Sequence, residues 1–124
     1  MLARDSDDAS ARVILGSAYR GMGRIAESVA EFRRAGDTSA AIRVAGDRDA
    51  LIQEIERLRG EAWVPALGIA LDYAVLGDPD QVFEWLERAY EQRDGSLRIL
   101  HLFPEFDGLR SDPRYARLLQ RVRP

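Results

Sequence analysis

One histidine, His101, and two close carboxylate pairs, Glu54 with Glu56 and Asp78 with Asp80, are the residues whose types and spacing suggest chemistry. A histidine works as a catalytic base only when a nucleophile and an orienting group accompany it, and His101 stands between Leu100 and Leu102 with no serine-glycine elbow nearby. It reads as a surface or interhelix residue. Paired carboxylates can shuttle a proton or hold a metal ion, but acids at these places are also what helix starts and solvated helix faces use. Cysteine is absent, which removes disulfides, thiolate nucleophiles and most structural zinc sites. Lysine is absent too, so no Walker-type phosphate loop exists, and there is no G-x-G-x-x-G run. The expectation is a chain that is not an enzyme, with no catalytic residues, no metal and no cofactor.

The rest of the composition narrows the class of partner. With 124 residues, 46 % apolar and 31 % charged, the chain has the make-up of one globular domain, able to bury about two-thirds of its unfolded surface. A net charge of −3 argues against nucleic acid, whose binding rests on neutralising many phosphates. The longest uncharged stretch, residues 62–71, contains Pro65 and stops at Asp72, far short of the roughly 18 to 20 apolar residues of a membrane span. The opening residues 1–8 are acidic and lack the apolar core of a signal peptide, so the expected location is the cytoplasm.

The elements that must position any site are helices. Strand alternation and hairpin turns are scarce, while apolar residues recur at helical spacing throughout. Ile25, Val29 and Phe32 fall at i, i+4, i+7; Leu51, Ile52, Ile55 and Leu58 form a second stripe after Asp47, a candidate N-cap. Asp78-Pro79 and Asp112-Pro113 each place a capping carboxylate before a proline suited to a first helical turn. These signals predict helix pairs over 9–22 with 24–35, 38–45 with 47–60, and 64–76 with 79–92. Residues 96–106 read as a helical turn or two followed by a loop, and a final helix carries Tyr115, Leu118, Leu119 and Val122.

Paired helices with glycine turns call for a search for internal repeats. Leu15-Gly16, Tyr19, Gly23, Phe32 and Ala35 stand at the spacing L-G-x2-Y-x3-G-x8-F-x2-A. Ile69, Ala70, Tyr73, Gly77, Val82, Leu86 and Ala89 take the same offsets 54 residues later, with a shortened pair turning at Gly46 between them. This pattern resembles the tetratricopeptide repeat and covers residues 10 to 92. Arg12 departs from the family's usual tryptophan, Ser28 from its small alanine and Ala40 from its closing proline. The resemblance implies an all-α, right-handed α-solenoid of about three helix-turn-helix pairs: one domain over 1–124, with repeats at 9–35, 38–60 and 64–92 and a C-terminal cap over 93–124. In it, Gly16 permits close helix approach and Tyr19 and Phe32 fill the gap. The segments Leu76 to Gln81, Phe83 to Glu91 and Phe106 to Tyr115 look like the end of bacterial arrays that follow a kinase, cyclase or winged-helix regulator. Residues 2–9 resemble a linker between repeats, with Ser6 where proline is usual, which implies that an earlier repeat precedes this stretch in a longer protein.

The implied function is protein recognition by a non-catalytic scaffold or regulatory module of a bacterial signalling protein. Its expected partner is a protein or peptide, with neither nucleic acid nor membrane. A freestanding adaptor, a homo-oligomer and a purely structural cap are the alternatives. By resemblance the groove positions are Val13, Ser17 and Arg20 in the first pair and Val64, Leu67, Leu71 and Val75 in the third. The apolar third set is either a groove for a partner helix or a face buried by the chain's own tail, Leu97 to Phe103; the tail is the preferred reading. Clamps for chaperone tails use lysine and asparagine, which this chain lacks, so that family role is not expected.

Overall fold

The computed structural model describes residues 9–122, and these hold helices and no strand. The helices are α1 (Ala9–Gly21), α2 (Ile25–Arg34), α3 (Thr38–Ala45), α4 (Arg48–Arg59), α5 (Ala66–Leu76), α6 (Pro79–Glu91) and α7 (Pro113–Val122). Two 3-10 segments, Gly95–Leu102 and Pro104–Leu109, lie between α6 and α7. Most of the linker-like opening, residues 2–8, lies outside the described residues; Ala9 begins α1.

The helix ends follow from local chemistry. Asp37, Asp47 and Asp78 each accept a hydrogen bond from a main-chain N–H three residues on, at Ala40, Ala50 and Gln81, which satisfies donors that a helix start leaves orphaned. Asp112 accepts from the main-chain N–H of Arg114, two residues on. Gly23 and Gly77 close the turns after α1 and α5 in the left-handed region, at φ of 77° and 83°, where a side chain would be strained. The helix read from residue 64 starts only at Ala66, because Val64 precedes Pro65 and is driven out of the helical region. The same rule divides the tail: Phe103, ahead of Pro104, is extended and separates two 3-10 segments where a short helix and loop were expected.

The chain forms two compact units, residues 1–51 and 52–124. In the first, α1 packs on α2 and α2 on α3, around Val29, Phe32 and Ala41, with Val13, Ala40 and Val44 half-buried against them. Gly16 is the point of closest approach. A Cβ on it would stand 3.1 Å from the Phe32 ring, and the buried Ser28 hydroxyl donates to its carbonyl oxygen at 2.7 Å.

In the second unit α5 packs on α6, and a larger core gathers Ile55, Leu58, Leu67, Ile69, Leu71, Leu86, Leu97, Leu100, Phe106, Tyr115 and Leu118. The 3-10 segment Pro104–Leu109 packs on α5, and α7 packs on both α6 and Gly95–Leu102. No described helix is long and apolar enough to cross a membrane.

Candidate protein-interaction surface

The two helix pairs at the 54-residue offset have matching interiors. Gly16 and Ala70 are both buried, as are Phe32 and Leu86, and Ser28 and Val82; Tyr19 and Tyr73 are both half-buried. Ala35 is half-buried where Ala89 is fully buried. The departures from the repeat pattern have local explanations. Ser28 uses its hydroxyl to tie α2 to the carbonyl of Gly16. Arg12 reaches across to the buried carboxylate of Glu31 at 3.1 Å, and Arg34 holds the other oxygen of the same group at 2.8 Å.

The outer faces of the two pairs differ. Leu15 is 42 % exposed, whereas its counterpart Ile69 is fully buried within the core that contains Ile55 and Leu58 of α4. Gly68, one residue earlier, has Leu58 within 3.8 Å of where its Cβ would be. On α1 the corresponding Ile14 is 70 % exposed, and Met22 is 60 % exposed. Ala11, Ala18 and Gly21 are exposed as well. Ala11, Ile14, Leu15, Ala18 and Gly21 therefore form an outer stripe on α1 without a charged residue, and Met22 lies in the turn that follows. Its signal in the sequence is the spacing Ile14, Ala18, Met22 on the side away from Val13 and Gly16; sequence reasoning passed over it.

The groove residues expected from sequence separate into two groups. Ser17 is exposed, and Val13 and Arg20 are half-buried, Val13 being packed on the Val29 and Phe32 cluster. Tyr19 is half-buried with the Arg24 guanidinium 5.0 Å above its ring. Leu67 and Leu71, by contrast, are core residues of the second unit, in one cluster with Leu97, Leu100 and Phe106 of the tail. Val64 and Val75 are half-buried, and the Val64 carbonyl accepts from the Gln92 side chain at 2.8 Å. A partner could reach Leu67 or Leu71 only by displacing that core.

Of the acidic residues singled out for chemistry, Glu54, Asp78 and Asp80 are engaged in structural contacts. Asp78 caps α6, and Asp80 accepts from Arg114 at 2.8 Å. Glu54 is buried with Arg57 at 2.7 Å, which raises the guanidinium's pKa, while Glu56 faces solvent. His101 is exposed, and its carbonyl accepts from Arg110 at 2.6 Å. Among the described residues no group of three or more acids or histidines converges as metal ligands would.

Sequence reasoning also missed a clasp between α6 and α7. Arg114 pairs with Asp80 and stacks 4.6 Å over Phe83; seven residues on, Arg121 pairs with Glu87 at 2.5 Å and stacks 4.3 Å over Tyr90. Both pairs span 34 residues, so the two helices run in the same direction. The hint in the sequence is a seven-residue interval repeated in Asp80 and Glu87 and in Arg114 and Arg121. A cavity of about 760 Å³ lies beside this clasp and is lined by Tyr90, Arg93, Leu97, Arg98, Arg121 and Val122 together with Glu87, Glu91 and Asp94. Its three arginines are matched by three carboxylates, which gives it no strong preference for either sign of charge.

No protein-family model, no curated protein and no solved structure matches this chain.

Proposed function

We propose that this chain is a helical-repeat domain of the tetratricopeptide type, built of about three helix pairs with a C-terminal cap, and that it recognises other proteins without catalysing a reaction. The observation that carries this reading is the matched burial of α1 with α2 and of α5 with α6 at equivalent positions, Gly16 and Ala70, Ser28 and Val82, Phe32 and Leu86. A helix pair that leaves an apolar flank open needs a neighbour, and stacking neighbours is what generates an extended recognition surface. The parallel placement of α6 and α7 at a 34-residue offset supports it, since that is about one repeat period.

On this reading the recognition surface lies on the first pair, at Ser17 and Arg20 beside the half-buried Val13, because the apolar face of α5 is occupied by core. The setting is a scaffold or regulatory part of a bacterial signalling protein, located in the cytoplasm. The test is affinity capture with the intact chain in lysate of its source, repeated with Ser17→Arg combined with Arg20→Glu. Loss of a specific captured protein by a variant with unchanged helicity supports the reading. Equal capture by both, or capture of nothing specific, counts against it.

A further inference from the structure

We propose that α7 is a latch: it leaves α6 as a unit while the rest of the second unit stays folded, uncovering Phe83 and Tyr90, and two ion pairs set how often it opens. The apolar hold on α7 is thin beside that on α6. Tyr115 and Leu118 are the side chains that α7 buries, whereas α6 buries Val82, Phe83, Trp85, Leu86 and Ala89. The Tyr115 hydroxyl enters the core with no hydrogen-bond partner among the described residues, which offsets part of what burial of its ring contributes. With 10 residues, α7 is also shorter than the roughly 12 to 15 that an isolated helix needs to persist in water, so release and melting are one event.

Charge supplies the rest of the hold. Arg114 meets Asp80 at 2.8 Å and Arg121 meets Glu87, and the same two guanidinium groups cover Phe83 at 4.6 Å and Tyr90 at 4.3 Å. Arg117 lies between them, three residues after Arg114 and four before Arg121. A released α7 therefore carries three like charges at spacings that destabilise a helix. Docking relieves that repulsion by bringing Asp80 and Glu87 alongside. The four paired side chains are between 37 % and 86 % exposed, so salt screens their attraction. Ionic strength thus acts on the latch far more than on the apolar packing of α5 against α6.

Native-state hydrogen exchange on the intact chain, read residue by residue by NMR, tests this. Relative to their intrinsic rates, the amides of α7 from Arg117 onward are expected to exchange at least about 10-fold faster than those of Ile69 to Leu71 in α5. Raising NaCl from about 0.01 M to about 1 M shortens the Debye length from about 30 Å to about 3 Å. The α7 amides are then expected to exchange about 3- to 10-fold faster, and the α5 amides to change less than about 2-fold. Asp80→Asn combined with Glu87→Gln gives the fast α7 exchange at low salt and removes the response to salt. Glu84→Gln removes an acid that pairs within α6, with Arg88 at 3.6 Å, and leaves α7 exchange as in the parent. All three acids are exposed, so the variants keep the fold, which circular dichroism verifies.

Equal protection of α7 and α5 would overturn the proposal, because α7 would then open only when the whole unit unfolds. So would a salt response that survives the double variant, or one that Glu84→Gln abolishes as well, since either result takes the two ion pairs out of the control of opening.

Discussion

The hydroxyl of Ser28 donates a 2.7 Å hydrogen bond to the main-chain carbonyl of Gly16, and both residues are buried at the crossing of α1 and α2. A residue without a side chain at the crossing lets the two backbones approach closely. Gly16 therefore brings α1 close enough for two separate contacts, one with Ser28 and one with the Phe32 ring.

Ser28→Ala removes the donor and leaves the carbonyl with its helical partner alone. The expected loss is about 1 kcal/mol in urea unfolding, the usual net value of one such bond. An unchanged midpoint would mean that the bond adds nothing beyond packing.

Gly16→Leu should cost more, about 2 to 3 kcal/mol, because the added atoms must displace the Phe32 ring from a contact already 3.1 Å from the Cβ position. Gly16→Ala sets that contact against alanine's advantage of about 1 kcal/mol inside a helix, so its midpoint should shift little. A Leu variant as stable as the parent would show that α1 and α2 are not closely packed at Gly16.

Glu31 is held by two arginines of unequal burial. Arg12 is mostly buried and crosses from α1, whereas Arg34 is largely exposed and lies one turn along α2. Arg12→Ala is expected to cost about 1 to 3 kcal/mol by leaving a buried carboxylate short of a partner, and Arg34→Ala no more than about 0.5 kcal/mol. A double-mutant cycle with Glu31→Gln measures each coupling, and equal values would contradict the difference in burial.

At the start of α7 the Asp112 carboxyl lies below its ordinary pKa, chiefly through the side-chain hydrogen bond from Arg114 and then through that residue's main-chain N–H. A carboxylate whose pKa is lowered by folding stabilises the fold at pH values above its ordinary range. That contribution disappears as pH falls through the lowered value. Arg114→Ala should raise the Asp112 pKa, as read by carbon-detected NMR titration, and should flatten the acid limb of the stability profile. No movement of the Asp112 resonance midpoint would remove the Arg114 side chain as its cause.

Leu67→Glu and Leu71→Glu each place a charge in the core of the second unit. Each is expected to destabilise by at least about 3 kcal/mol, seen as lost cooperativity or a large fall in melting temperature. A folded, stable variant would mean that the face is open, as a groove would be.

Helix identity and most helix ends were legible in the sequence because their causes are local. Apolar spacing, Asp47, Asp78 and Asp112 as caps, and the Asp-Pro starts act within one turn of the residues that carry them. The tail was read less well, since 3-10 geometry on both sides of Phe103 reflects the packing of Leu97, Leu100 and Phe106 on distant helices as much as Pro104 itself.

By itself the sequence determined an all-helical chain, its capped boundaries and a pair of similar helix hairpins 54 residues apart, all through interactions of short range along the chain. Only the tertiary structure decided which equivalent faces are covered. Leu15 and Ile69 have nearly the same chemistry and the same place in their hairpins, yet one is exposed and the other is buried. The difference comes from which distant segments pack against each, and neither residue's own neighbours in sequence encode it. The same holds for Arg114 and Asp80, whose pairing depends on two parallel helices meeting in one register.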